Sequence, residues 1–81
     1  MRNLDLLKKA FMEVLSIDPA SDFDGLAYGV TAGWDSVAHM ALVAAIEEAF
    51  EIMLASDEVI DVSNFQKGKE IVSRHGIEFE A

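Results

Sequence analysis

At 81 residues the chain has room for one small hydrophobic core and not for a deep enzymatic cleft. A hydrophobic content of 52% with a single proline excludes a disordered segment, and the absence of cysteine excludes a disulfide framework, a thiolate zinc site and a thiol nucleophile. The formal charge of −9 is unevenly laid out: the six basic residues (Arg2, Lys8, Lys9, Lys67, Lys69, Arg74) sit near the ends, whereas eleven acidic residues and no Lys or Arg fall between Ala10 and Gln66. Such a block repels nucleic acid and anionic membranes and attracts a partner with a basic patch, although solubility alone is a sufficient reason for it. The longest apolar run, Val37 to Ile46, is interrupted by His39 and is too short to span a bilayer. No signal-peptide pattern opens the chain, and the lack of cysteine fits the cytoplasm.

In chain order, Asn3 is expected to cap a first helix, with Asp5 in its first turn. Leu4, Leu7, Phe11, Val14 and Leu15 recur at helical spacing and form one core-facing stripe. Ser16 to Pro19 should end this helix. Ile17 to Asp35 is a long connection without a period, containing Gly25, Gly29 and Gly33, with Phe23, Leu26, Tyr28, Val30 and Trp34 as candidate anchors. A second helix is expected from about Ser36 to Glu51, with Asp35 as its N-cap.

Leu42, Val43, Ile46 and Phe50 form the core stripe of that helix, while Val37, Met40, Ala41 and Ala44 make a second, still apolar side. Two readings of this second side are open: a partner surface, or packing under the long loop. Ser56 should cap a helix of one or two turns leaning on Val59, Ile60 and Val62. Ser63 and Gln66 match a capping box for a last helix reaching about His75, with Phe65, Ile71 and Val72 inward and Gly76 as the stop. Residues from about 77 to 81 are expected to be a flexible tail of this single domain.

Little catalytic chemistry is on offer. Ser36 and His39 lie about one helical turn apart, but no oxyanion hole or substrate cleft accompanies them. The two histidines, His39 and His75, read as surface or boundary residues. Asp57, Glu58 and Asp61 lack the spacing of a calcium loop and read as a solvated acidic face. By spacing alone the Asp35-Ser36 step is ordinary capping. Its functional reading is a covalently attached phosphate group, because the first turn of a helix offers free amides and a positive dipole end.

Asp35-Ser36-Val37 resembles the Asp-Ser-Leu attachment motif of the acyl carrier proteins, with Val in place of Leu. Ala45-Ile46-Glu47-Glu48-Ala49-Phe50 is similar to that family's Leu-Glu-Glu-x-Phe segment, and Phe65 and the last helix also sit where the family places them. The resemblance covers nearly the whole chain. It implies an all-α, four-helix bundle with a long first loop and a short third helix, acting as a non-catalytic carrier.

Ser36 would bear 4'-phosphopantetheine, transferred from coenzyme A by a phosphopantetheinyl transferase with a magnesium ion, and acyl groups would ride on its thiol. That would account for a carrier without cysteine. Partners would be that transferase and acyl ligases, synthases or transferases with basic docking patches, meeting a monomer through Asp35, Val37, Met40, Ala44, Glu47, Glu48 and Asp57. Leu42, Val43, Ile46, Phe50, Val59, Ile60, Phe65 and Val72 would form the core or acyl pocket. Ala38 and Ala41 stand where members serving fatty acid synthesis often carry acidic residues, so the context looks more like stand-alone specialised carriers of polyketide, modified-lipid or related pathways. The alternatives are an aminoacyl or peptidyl carrier and an unmodified helical interaction module.

Overall fold

The computed structural model describes residues 2–79. They form four α-helices, α1 (Asn3–Leu15), α2 (Ser36–Phe50), α3 (Ser56–Asp61) and α4 (Phe65–Ser73), with a 3-10 turn at Phe23–Gly25 in the long first connection. Among the described residues there is no strand; one antiparallel bridge joins Ala27 to Asn64. The protein is all-α.

The core is one cluster. Leu7, Phe11 and Leu15 of α1 meet Leu42, Val43, Ile46 and Phe50 of α2, and Phe65, Ile71 and Val72 of α4 close the third side. Trp34 and Phe23 enter from the long loop. Phe11 is the hub, packing edge-on to Trp34 at 5.6 Å and to Phe65 at 5.0 Å between ring centroids. Phe23 adds a tilted contact with Phe65 at 5.2 Å. Edge-on pairs suit the aromatic quadrupole and add to burial about 0.5–1.5 kcal/mol each.

Several boundaries differ from the sequence expectations, each for a local reason. The cap of α1 is Arg2, not Asn3; Asn3 is the first helical residue and its side-chain amide donates to the carbonyl of Glu78 at 2.8 Å. The helix ends before Pro19 acts, because Ser16 turns left-handed (φ 56°) and its N–H returns to Met12 O. Ser56 opens α3 rather than capping it: Ala55 precedes the helix, and its N–H is taken by the Glu58 carboxylate at 2.9 Å.

Asn64, not Ser63, caps α4, its Oδ1 accepting from Lys67 N at 2.7 Å. The register is set from outside: Tyr28 N donates to Ser63 O at 2.9 Å, and the Ala27–Asn64 bridge holds residue 64 extended. The helix closes at Ser73, and Gly76 follows with a positive φ of 86°.

The expected tail is partly docked. Phe79 packs edge-on against Phe50 at 6.1 Å, and the Lys69 ammonium lies 5.9 Å over its ring. Residues 80–81 lie outside the described residues. Of the loop anchors, Phe23, Leu26 and Trp34 are buried, whereas Tyr28 and Val30 are exposed. Ile60, expected in the core or acyl pocket, is 77% exposed and so outside the core, because the single face α3 turns inward is led by half-buried Val59 and followed by buried Val62.

Candidate functional site

The end of the long loop is built by a few hydrogen bonds, one of them to a side-chain hydroxyl. Ala27 N donates to Thr31 Oγ1 at 2.9 Å, Trp34 N to Thr31 O at 3.1 Å, and Gly29 N to Trp34 O at 3.1 Å. The two reversals this needs fall on Gly29 (φ 77°) and Gly33 (φ 85°), where a side chain would be strained. The chain then delivers Trp34 into the core, and Asp35, extended, starts α2.

Asp35 is a working N-cap: its Oδ1 accepts from Ala38 N at 2.9 Å. Ser36 therefore occupies the first helical position with its hydroxyl not needed for capping, and it is exposed. A serine so placed offers an accessible oxygen at the positive end of a fifteen-residue helix.

His39, one turn on, is not a boundary residue without a role. The Trp34 indole N–H donates to its Nδ1 at 3.1 Å, and its Nε2 lies 2.7 Å from the Val59 carbonyl. An indole nitrogen only donates and a carbonyl only accepts, so the imidazole is neutral with its proton on Nε2. Both ring nitrogens are thereby occupied, and none has a lone pair left to take a proton from Ser36. The Tyr28 ring stands edge-on to His39 at 5.1 Å, and the Trp34 ring is stacked on it at 6.2 Å. A signal for this network is present in the sequence: a buried tryptophan needs an acceptor, and His39 is a nearby polar ring.

The second histidine also serves α3. His75 Nε2 approaches the Glu58 carboxylate at 3.0 and 3.2 Å. The Ala55 backbone N–H, and next the His75 imidazole, hold the Glu58 carboxyl below its ordinary range. No residue of α3 is fully buried; besides the packing of Val59 on the core, two histidine contacts hold this six-residue helix, one from α2 and one from beyond α4. Glu58 is thus withdrawn from the acidic trio with Asp57 and Asp61. Among the described residues no group of three or more His, Cys, Asp or Glu side chains could hold a metal ion.

The remaining site candidates separate clearly. Val37, Met40 and Ala44 lie exposed along α2, with Glu48 further down and Asp35 just before the helix; Asp57 on α3 is exposed as well. The loop leaves most of this face open: Trp34 packs on Phe11, and only Tyr28 reaches its upper end, beside His39 and Met40. Glu47 differs from Glu48, since its Oε2 accepts from Leu54 N at 2.9 Å and secures the turn after α2. Leu42, Val43, Ile46, Phe50, Phe65 and Val72 are buried, and Val59 is half-buried.

Beside Ser36 lies an apolar hollow of ≈ 290 Å³ lined by Tyr28, Ser36, His39, Met40, Val59 and Ile60. Sequence reading missed Tyr28 and His39 as its walls, because the loop and α3 meet α2 there only in the folded chain. No family model, curated protein or solved structure matches the chain. No helix among the described residues is long and apolar enough to cross a membrane.

Proposed function

We propose that this protein is an acyl carrier with the four-helix carrier fold, bearing 4'-phosphopantetheine on Ser36. The observation that carries the reading is the placement of Ser36. Its hydroxyl is exposed on the first turn of the longest helix, capping is done by Asp35, and an apolar hollow opens beside it. The residues present fit such a group. A phosphodiester on Ser36 would sit at a helix N-terminus, where backbone amides and the dipole favour negative charge. Asp35 holds the amide of Ala38, so the cap persists when Ser36 is substituted.

Bound there, the arm would supply the thiol that this chain lacks, for acyl groups carried as thioesters. In the transfer from coenzyme A, the Ser36 oxygen would lose its proton and take the phosphoryl end of the arm, the adenosine bisphosphate part leaving. The chain's own contribution is presentation: Gly33 and Gly29 set the loop, Trp34 anchors it, and α2 displays Ser36 above Val37, Met40 and Ala44. Those apolar positions, with Asp35, Glu48 and Asp57 around them, would meet a transferase, ligase or synthase through an apolar centre and a basic rim. Glu47 belongs to the turn rather than to that rim.

Incubation of the full chain with coenzyme A, magnesium and a broad-specificity phosphopantetheinyl transferase should convert it to a single-adduct form. A chain that stays unmodified while a known carrier is converted in the same reaction defeats the proposal.

A further inference from the structure

Three parts of the fold share the His39 ring. It stands on α2, takes the Trp34 indole N–H of the long loop at 3.1 Å on Nδ1, and reaches the Val59 carbonyl of α3 at 2.7 Å through Nε2. The Trp34 ring is stacked on it, 20° from parallel, and the Tyr28 ring stands edge-on.

These two bonds answer a proton in opposite ways. In the neutral ring Nδ1 accepts and Nε2–H donates, so an added proton can go only to Nδ1. The resulting imidazolium has two N–H groups and accepts nothing. Its new Nδ1–H then faces the Trp34 N–H, donor against donor. The Nε2–H bond to Val59 O survives and becomes charge-assisted. Protonation therefore undoes the loop side of the contact and keeps the α3 side. Trp34 is 1% exposed, so its N–H finds a new partner only if the ring or the loop end shifts.

The ionisable groups around the ring do not replace the lost bond. The loop presents the Tyr28 phenol. On α2, the Asp35 carboxylate one turn back is engaged by Ala38 N, and the Asp35 carbonyl takes the His39 amide. On α3, the Glu58 carboxylate is turned to the Ala55 N–H and to His75. No Lys or Arg occurs between Ala10 and Gln66.

We infer that His39 is a proton-operated latch on the end of the long loop. Neutral, it fastens Trp34. Protonated at Nδ1, it releases the indole and loosens the turn that leads through Asp35 into Ser36, while α3 stays attached. His75 does not oppose this, because a proton on its ring strengthens the contact with Glu58. The latch is independent of what Ser36 carries.

The test is an NMR titration of the full, unmodified chain between about pH 8 and 5, the range in which histidine changes charge. The carbon-bound ring protons of His39 report its charge, and the indole N–H of the single tryptophan reports the latch. The indole signal should move in step with His39 protonation. Its protection against exchange, corrected for the intrinsic pH dependence of exchange, should fall about tenfold or more. The amide signals of Gly29 and Trp34 should follow, while those of Val59 and Ile60 keep their protection. His39→Gln supplies a carbonyl oxygen for the indole, an amide N–H for Val59 O and no titrating group, so its indole signal should stay flat. His75→Gln should leave the parent's response in place, and with the parent titration it decides the question even where His39→Gln does not fold. Indole protection that is unchanged as His39 takes its proton, or the same loss in His39→Gln, overturns the inference. So does loss of α3 protection in the same step, or a His39 ring that stays neutral until the whole chain unfolds.

Discussion

Replacing His39 by alanine isolates the contact that ties the loop, α2 and α3 together. The change removes two hydrogen bonds, Trp34 Nε1–H to Nδ1 and Nε2–H to Val59 O. The two losses differ in cost. Val59 is half-buried on a short helix and its carbonyl can turn to water, so that bond is worth about 1 kcal/mol. Trp34 is 1% exposed, and an indole N–H left without an acceptor at such a site costs about 1–3 kcal/mol.

The sum, about 2–4 kcal/mol, is a large share of the roughly 5–15 kcal/mol that holds a domain folded. In urea, with a slope of about 1–3 kcal/mol per molar, the unfolding midpoint should fall by about 0.7–4 M. Near-ultraviolet circular dichroism reports the Trp34 environment directly, and hydrogen exchange should show faster opening of α3. A His39→Ala midpoint within a few tenths molar of the parent would refute the reasoning, as would NMR placing the imidazole proton on Nδ1.

Four further predictions follow from the same geometry. Ser36→Ala should leave the urea midpoint nearly unchanged, whereas Asp35→Ala should lose about 1 kcal/mol; equal losses would mean that Ser36 is itself the cap. Gly68→Ala should stabilise by about 0.5–1 kcal/mol, because a Cβ there meets Phe11 Cζ at 3.5 Å and Val62 Cγ1 at 3.7 Å, ordinary contact distances; a lower thermal midpoint would show that α4 has no slack against Phe11.

The Glu58 carboxyl is held low, so its contribution is fully present above the ordinary carboxylate range and is lost as pH falls through the lowered folded-state value. The stability gap between the parent and Glu58→Gln should therefore narrow as pH falls below the ordinary carboxylate range, and a gap that widens over that interval would contradict this sign. Glu48→Lys should slow phosphopantetheinyl transfer more at low salt than at high salt without destabilising the chain. Rates that do not change would assign the acidic face to solubility alone.

What could be read from the sequence was whatever depends on near neighbours. The Leu7, Phe11 and Leu15 stripe, the start of α2 at Ser36 and its Asp35 cap are all decided within a turn or two, and the structure has them. Ser63 and Asn64 are equally good caps locally. The choice fell to Asn64 because Tyr28 N and Ala27, more than thirty residues earlier, hold that strand-like pair in place. Whether Ile60 would enter the core or face outward could not be read, because six residues are too few for a helical period to show which face turns inward.

The docking of Phe79 on Phe50, and of Asn3 on Glu78, joins distant parts of the chain and has no local signature. Ser36 was visible as a position, but its availability was not. That depends on Asp35 taking the cap, and on both nitrogens of His39 being spent on Trp34 and Val59.

The central claim is that Ser36 bears a phosphopantetheine arm. Its most direct test is the intact mass of the full chain and of Ser36→Ala after reaction with coenzyme A, magnesium and a broad-specificity transferase, followed by fragmentation to locate the added group. The account predicts one phosphopantetheine per chain, mapped to Ser36 and absent from the alanine variant. No adduct on the parent chain, or one that persists in Ser36→Ala, would contradict it.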